Sequence, residues 1–160
     1  MTGAVNVAWP HGTPNHDAAH AWLEAHKDAP NAKPWNGGIS STQLTWLRAE
    51  LAAAEQANQW VVAFGHIPLS PHSASTHHLV YNADEVRQTL ESCPRVRWYF
   101  AGHYHRGGYA KVGPIHHVTG EALLEAPSDS TAYAIVDVSD EHGLTVHGFG
   151  SFKSHSLPHQ

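Results

Sequence analysis

Val96-Arg97-Trp98-Tyr99-Phe100-Ala101-Gly102-His103-Tyr104-His105 decides how the rest of the chain is read. An apolar run broken only by Arg97 leads into Gly-His-x-His, and the paired glycines Gly107 and Gly108 follow. The run predicts a strand over residues 96–105. Side chains of an extended chain alternate, so His103 and His105 are expected to present both imidazoles on one side. Gly102 is expected to let the backbone turn at the strand end, where a Cβ would resist positive φ or crowd a ligand. Two neutral imidazoles aimed at one point suit a metal ion. The competing reading is a pair of surface histidines, because 16 of the 160 residues are histidine and chance pairs are common at that density.

A second strand end upstream carries the same chemistry. Residues 60–64 form a short apolar run that ends in Gly65-His66-Ile67-Pro68-Leu69. The proline stops the ladder at once, so His66 is expected at the end of a central strand. Ligands of open α/β sheets bind at such strand ends. Between the two strands, residues 84–92 support a helix with Val86 and Leu90 inward. A strand–helix–strand unit is parallel and right-handed in nearly every fold, which brings both strand ends to the same side of the sheet. His66, His103 and His105 are therefore the candidate metal ligands.

The remaining elements fit around this unit. Residues 17–26 predict a short helix with Ala18, Ala21, Trp22 and Ala25 on one face. His16, His20 and His26 fall near helical spacing, and without a carboxylate or cysteine at ligand spacing they read as a solvated face. Asn36-Gly37-Gly38 is a turn signal. Ser40 and Gln43 form a capping box ahead of Leu44, Leu47, Leu51 and Ala54, the stripe of an amphipathic helix running to about Ala57. Residues 115–119, 132–138 and 144–149 predict three further strands, antiparallel to one another, with Asp140 to Gly143 turning between the last two. The tail after Phe152 is expected to fray. The outcome is a layered α/β fold, divided into a loop and short-helix segment (1–38), the α/β domain (39–152) and a tail (153–160).

Composition narrows the function classes. The net charge is −5, so nothing in the balance points to nucleic acid. No apolar run approaches the ~20 residues of a membrane span. The opening residues lack the basic head and apolar centre of a signal peptide. One cysteine, Cys93, excludes an internal disulfide and a thiolate cluster. A soluble, cytoplasmic protein is expected.

Phe64-Gly65-His66-Ile67-Pro68 followed by Ala101-Gly102-His103-Tyr104-His105-Arg106-Gly107-Gly108 resembles the calcineurin-like metallophosphoesterases. Within them the chain is most similar to the manganese-dependent ADP-ribose/CDP-alcohol diphosphatases. The likeness takes in Trp9-Pro10 to Asn31, Asn36-Gly37-Gly38, Gln43-Leu44 with Trp46-Leu47, Tyr81-Asn82, Gly107-Gly108-Tyr109, His117-Val118, and Glu121 to Glu125 with Pro127. It implies the C-terminal half of a layered α/β/β/α sandwich, divalent metal ions (manganese first, zinc or iron as alternatives), and a phosphoester or pyrophosphate substrate linked to a nucleoside diphosphate. His66 and His103 match ligands of one metal, and His105 matches a ligand of the other. The family's Asp-x-His, Gly-Asp-x-x-Asp/Asn and Gly-Asn-His motifs have no counterpart upstream of His66, and no catalytic residue is identified in this half.

Three histidines without those carboxylates offer only nitrogen ligands, a set that suits one Zn²⁺ better than oxygen-loving Mn²⁺. The isolated chain is thus expected to be incomplete as an enzyme. It is also expected to expose apolar surface around Val61, Val62 and Trp98 to Phe100, open to an N-terminal half or a second copy. The alternative function is a non-catalytic metal-binding or interaction module.

Overall fold

The computed structural model describes residues 12–159. The opening residues, including Trp9 and Pro10 where the resemblance begins, lie outside it.

Helix α1 (Pro14–Ala25) starts with proline in its first turn, where a missing N–H is harmless. Helix α2 (Ser41–Gln56) is fixed at both ends. The Ser40 hydroxyl accepts from the Gln43 N–H at 3.2 Å. At the other end Asn58 takes a left-handed φ of 56°. Gln59 N–H then donates to Ala54 C=O at 2.9 Å and Asn58 N–H to Glu55 C=O at 3.0 Å, the paired bonds of a Schellman motif. After strand β1 (Val61–Phe64) come helix α3 (Ala83–Glu91) and strand β2 (Val96–Ala101). Strands β3 (Arg106–Val112), β4 (Ile115–Glu121), β5 (Ala132–Ser139), β6 (Gly143–Gly150) and β7 (His155–Leu157) complete the described chain.

Two sheets form. The first has the order β1-β2-β4-β3 and the second β5-β6-β7. β1 and β2 are parallel, as the strand–helix–strand reading requires. Leu44, Leu51, Val86 and Leu90 from the helices pack with Val96, Tyr99 and Ile115 on one face of the first sheet. The alternate residues Trp98 and Val118 face Leu144, Val146 and Leu157 of the second sheet. The layers are thus helices, sheet, sheet.

The structure corrects several expectations. β4 does not continue an antiparallel run: it inserts between β2, to which it is parallel, and β3. β3 runs through Gly107 and Gly108, where the sequence leads to no expected strand. A Cβ at Gly108 would collide with the Ser73 carbonyl, so glycine is there for a close backbone approach and does not mark a break. The tail does not fray, because β7 pairs with β6 and Leu157 is fully buried. Trp98 is not left uncovered. It is 2% exposed, and its indole N–H donates to the Leu157 carbonyl at 2.8 Å. β1 is an edge strand of its sheet, not a central one, and Phe64 at its end is 76% exposed. His16, read as solvated, is buried.

Candidate metal centre

His66 follows β1 by two residues, and its position is set from β2. The Tyr99 hydroxyl donates to the Ile67 carbonyl at 2.8 Å. A Cβ at Gly65 would collide with that hydroxyl, so only glycine lets the chain pass. Gly102 N–H donates to the His66 carbonyl at 3.0 Å, tying the two strand ends together. The His66 and His103 rings meet edge to face with centroids 5.2 Å apart. His66 and His103 are therefore brought together, as the topology predicts.

The route by which they meet differs from the expectation. β2 stops at Ala101, so His103 and His105 do not share one face of an extended strand. His103 itself takes the left-handed conformation, with φ 63°, while Gly102 does not. Histidine tolerates that region better than a branched residue would. His105 turns instead to Glu125, its Nδ1 3.0 Å from Oε1. Among the described residues, no three His, Cys, Asp or Glu side chains gather closely enough to hold an ion by themselves.

Asn36, read from sequence only as a turn residue, proves to be the support of His103. It is fully buried. Its Nδ2 donates to the Asn31 and His77 carbonyls, each at 2.9 Å, so both amide protons are used. Its Oδ1 faces His103 Nε2 at 2.8 Å and must accept. The ring proton of His103 therefore sits on Nε2, and Nδ1 keeps its lone pair. The Glu125 carboxylate similarly holds the proton of His105 on Nδ1 and leaves Nε2 free. Fixing a tautomer through the second ring nitrogen is how metal-ligating histidines are commonly oriented.

His78, which no spacing singled out, joins the group. Its ring lies 5.7 Å from His103 and 5.2 Å from Tyr104. The His103 pKa is pushed down to about 4, first by burial and then by His66, His78 and His105. His78 is lowered as well, by burial, His77 and His105. Neutral imidazoles with a free lone pair are what a divalent ion needs. The donors thus fit the nitrogen share of a metal centre. The carboxylate share is not met, since Glu125 is engaged by His105. An open cleft of about 710 Å³ lies over His103 and His105, lined also by Trp35, His78, Arg106 and Glu125.

The layered fold is of the calcineurin-like kind, shared with a dimetal phosphatase. The chain is 35% identical to the manganese-dependent ADP-ribose/CDP-alcohol diphosphatase of Arabidopsis thaliana over 84% of its own length and 48% of that protein. Against the enzyme of the same description from Xenopus laevis it is 34% identical, over 77% of the chain and 35% of the relative. A dimetal phosphatase from Danio rerio superposes with a TM-score of 0.86 at 24% identity, covering 95% of this chain and 53% of that one. No family model matches the chain. It is thus a relative of the manganese-dependent ADP-ribose/CDP-alcohol diphosphatases, and it spans about half the length of these relatives or less.

Proposed function

We propose that this chain supplies the histidine share of a divalent-metal phosphoesterase, with His66, His103 and His105 as ligands. The reaction is hydrolysis of the phosphoanhydride of a nucleoside diphosphate-linked substrate such as ADP-ribose or a CDP-alcohol. The observation that carries it is the His66–His103 ring contact with His103 held in the ligating tautomer by buried Asn36. Divalent ions bound there, manganese first by the names of the relatives, supply polarisation of the phosphoryl oxygen and a more acidic water. The chain's own residues present lone pairs, and the Asn36 and Glu125 oxygens accept the imidazole N–H groups of His103 and His105. Carboxylates are needed beside them to offset the metal charge, and we place these on a complementary N-terminal half. Cys93 is free and buried, which suits a reducing compartment such as the cytoplasm.

The test is metal analysis with a diphosphatase assay, with and without a supplied half carrying Asp-x-His, Gly-Asp-x-x-Asp and Gly-Asn-His. Little turnover is expected without it. Restored turnover should fall by orders of magnitude in His66→Ala, His103→Ala or His105→Ala and be kept in His142→Ala. Robust metal-dependent hydrolysis by the 160-residue chain without its partner would overturn the division of labour.

A second reading, an interaction module, has its own support. β1 is a sheet edge, and Phe64, stacked on Phe100 at 5.4 Å, stands in solvent. Such an edge accepts a further strand, from the complementary half or from a second copy.

A further inference from the structure

The starts of the two parallel strands carry a cluster that the metal centre does not use. Trp60, 37% exposed, precedes β1, and Arg95 and Arg97 stand at the start of β2. The Arg95 and Arg97 guanidiniums lie 5.1 Å and 4.9 Å from the centre of the Trp60 ring. The His159 ring packs against the same indole at 5.1 Å. Val61 N–H donates to the Arg95 carbonyl at 2.9 Å and joins the two strand starts. His66 and His103 stand beyond the other ends of these strands, and the four residues of β1 span about 13 Å. The cluster is therefore separate from the metal centre.

Its donors outnumber its acceptors. Arg97 donates from Nε to the His159 carbonyl at 3.0 Å and from Nη1 to the Val96 carbonyl at 2.9 Å. Its Nη2 has no acceptor among the described residues. Arg95 donates from Nη2 to Asn58 Oδ1 and keeps Nε and Nη1. Among the described residues neither guanidinium has a carboxylate partner, and the Trp60 indole N–H has no acceptor. His159 Nδ1 is buried without a hydrogen-bond partner. Two like charges thus sit within about 10 Å of each other across one ring, where they repel.

We propose that Arg95, Arg97 and Trp60 form a site for a phosphate ion at the start of β1 and β2. Charge-assisted bonds of ~2.8 Å on two sides of a phosphate span about 8 Å between donors, so one ion reaches both guanidiniums. A planar carboxylate fills a single guanidinium fork, whereas a tetrahedral ion faces both arginines and the indole N–H. The backbone bonds of Arg97 hold its guanidinium in place before the ion arrives, which lowers the ordering cost of binding. The site owes nothing to the histidines and stands independently of the phosphoester reading.

Isothermal titration of inorganic phosphate into the full 160-residue chain, in EDTA at neutral pH and fixed ionic strength, tests it. One phosphate should bind per chain, and acetate should bind at least tenfold more weakly. Arg95→Gln and Arg97→Gln should each weaken phosphate by roughly tenfold. Arg95→Gln breaks no bond to the backbone, so it decides the matter if circular dichroism shows Arg97→Gln unfolded. Trp60→Leu removes the ring that holds both guanidiniums and should weaken phosphate as well. Arg106→Gln, on the metal side of the sheet, should leave binding unchanged. Absence of saturable binding, phosphate binding that survives Arg95→Gln, or acetate binding as tightly as phosphate overturns the site. Loss of binding in Arg106→Gln would move the ion to the cleft over His103 and overturn it as well.

Discussion

His117 sits in β4 on the helix-facing side of the first sheet, 1% exposed, with neither ring nitrogen hydrogen-bonded to the described protein. Burial first, then Arg87 and His116, lower its pKa from 6.5 to about 4. Between those two values the unfolded chain holds a proton that the folded chain rejects. The contribution to stability is therefore full above the unfolded pKa and drains away as pH falls toward 4. At 1.36 kcal/mol per unit, the drop from 6.5 to about 4 corresponds to about 3 kcal/mol. That is a large part of the ~5–15 kcal/mol that holds a domain together. His117→Leu removes the titrating group and keeps the site apolar. Urea unfolding followed by circular dichroism, without metal and stepped from pH 8 to pH 4, should give a shallower pH dependence for the variant. The difference in slope should approach 1.36 kcal/mol per pH unit at its steepest. His103, whose pKa is also lowered to about 4, titrates in both proteins and cancels. Parallel stability curves for the two proteins would refute the reasoning, because His117 would then be charged or solvated in the folded state.

Other expectations follow from the same geometry. Asn36→Leu leaves the His103 Nε2 proton without an acceptor; it should cost about 1–3 kcal/mol in urea unfolding and roughly 10–100-fold in Mn²⁺ or Zn²⁺ affinity by titration calorimetry. An unchanged metal affinity would remove Asn36 from its supporting role. Trp98→Ala opens the space between the sheets and breaks the bond to Leu157, so a loss of about 3–5 kcal/mol is expected in the same measurement. Phe64→Asp places a charge at the end of the β1 edge, and light scattering should show less self-association than the parent chain.

Much of the site was legible in sequence because two strand ends each announced themselves. Gly65-His66-Ile67-Pro68 and Gly102-His103 sit after apolar runs, and parallel pairing of β1 and β2 brings them together without further information. The local geometry was not legible. Alternation predicted that His103 and His105 share a face, but that rule holds only while the chain stays extended, and the strand ends at Ala101. Asn36 and His78 are long-range partners of His103, 67 positions away in the first case, and a turn signal carries no word of what its side chain will meet. β3 was hidden by its glycines, and β7 by its polar residues, since Leu157 is the one apolar side chain there that the second sheet buries. The covering of Trp98 depends on that last strand and was missed with it.

The left-handed residue at His103 links two parts of the chain mechanically. An L-residue in that region stands roughly 1–2 kcal/mol above its relaxed state. The turn is held there by the Gly102–His66 backbone bond on one side and by the Asn36 amide on the other. Asn36 is itself clamped to Asn31 and His77. Loosening either loop lets the turn relax toward the extended region, which swings the imidazole off the His66 edge. The loop around Asn36 and the turn after β2 should therefore open as one cooperative unit in amide hydrogen exchange. Separate opening rates for Asn36 and Tyr104 amides would contradict this. An ion taken up by His103 would slow exchange in a loop it never touches.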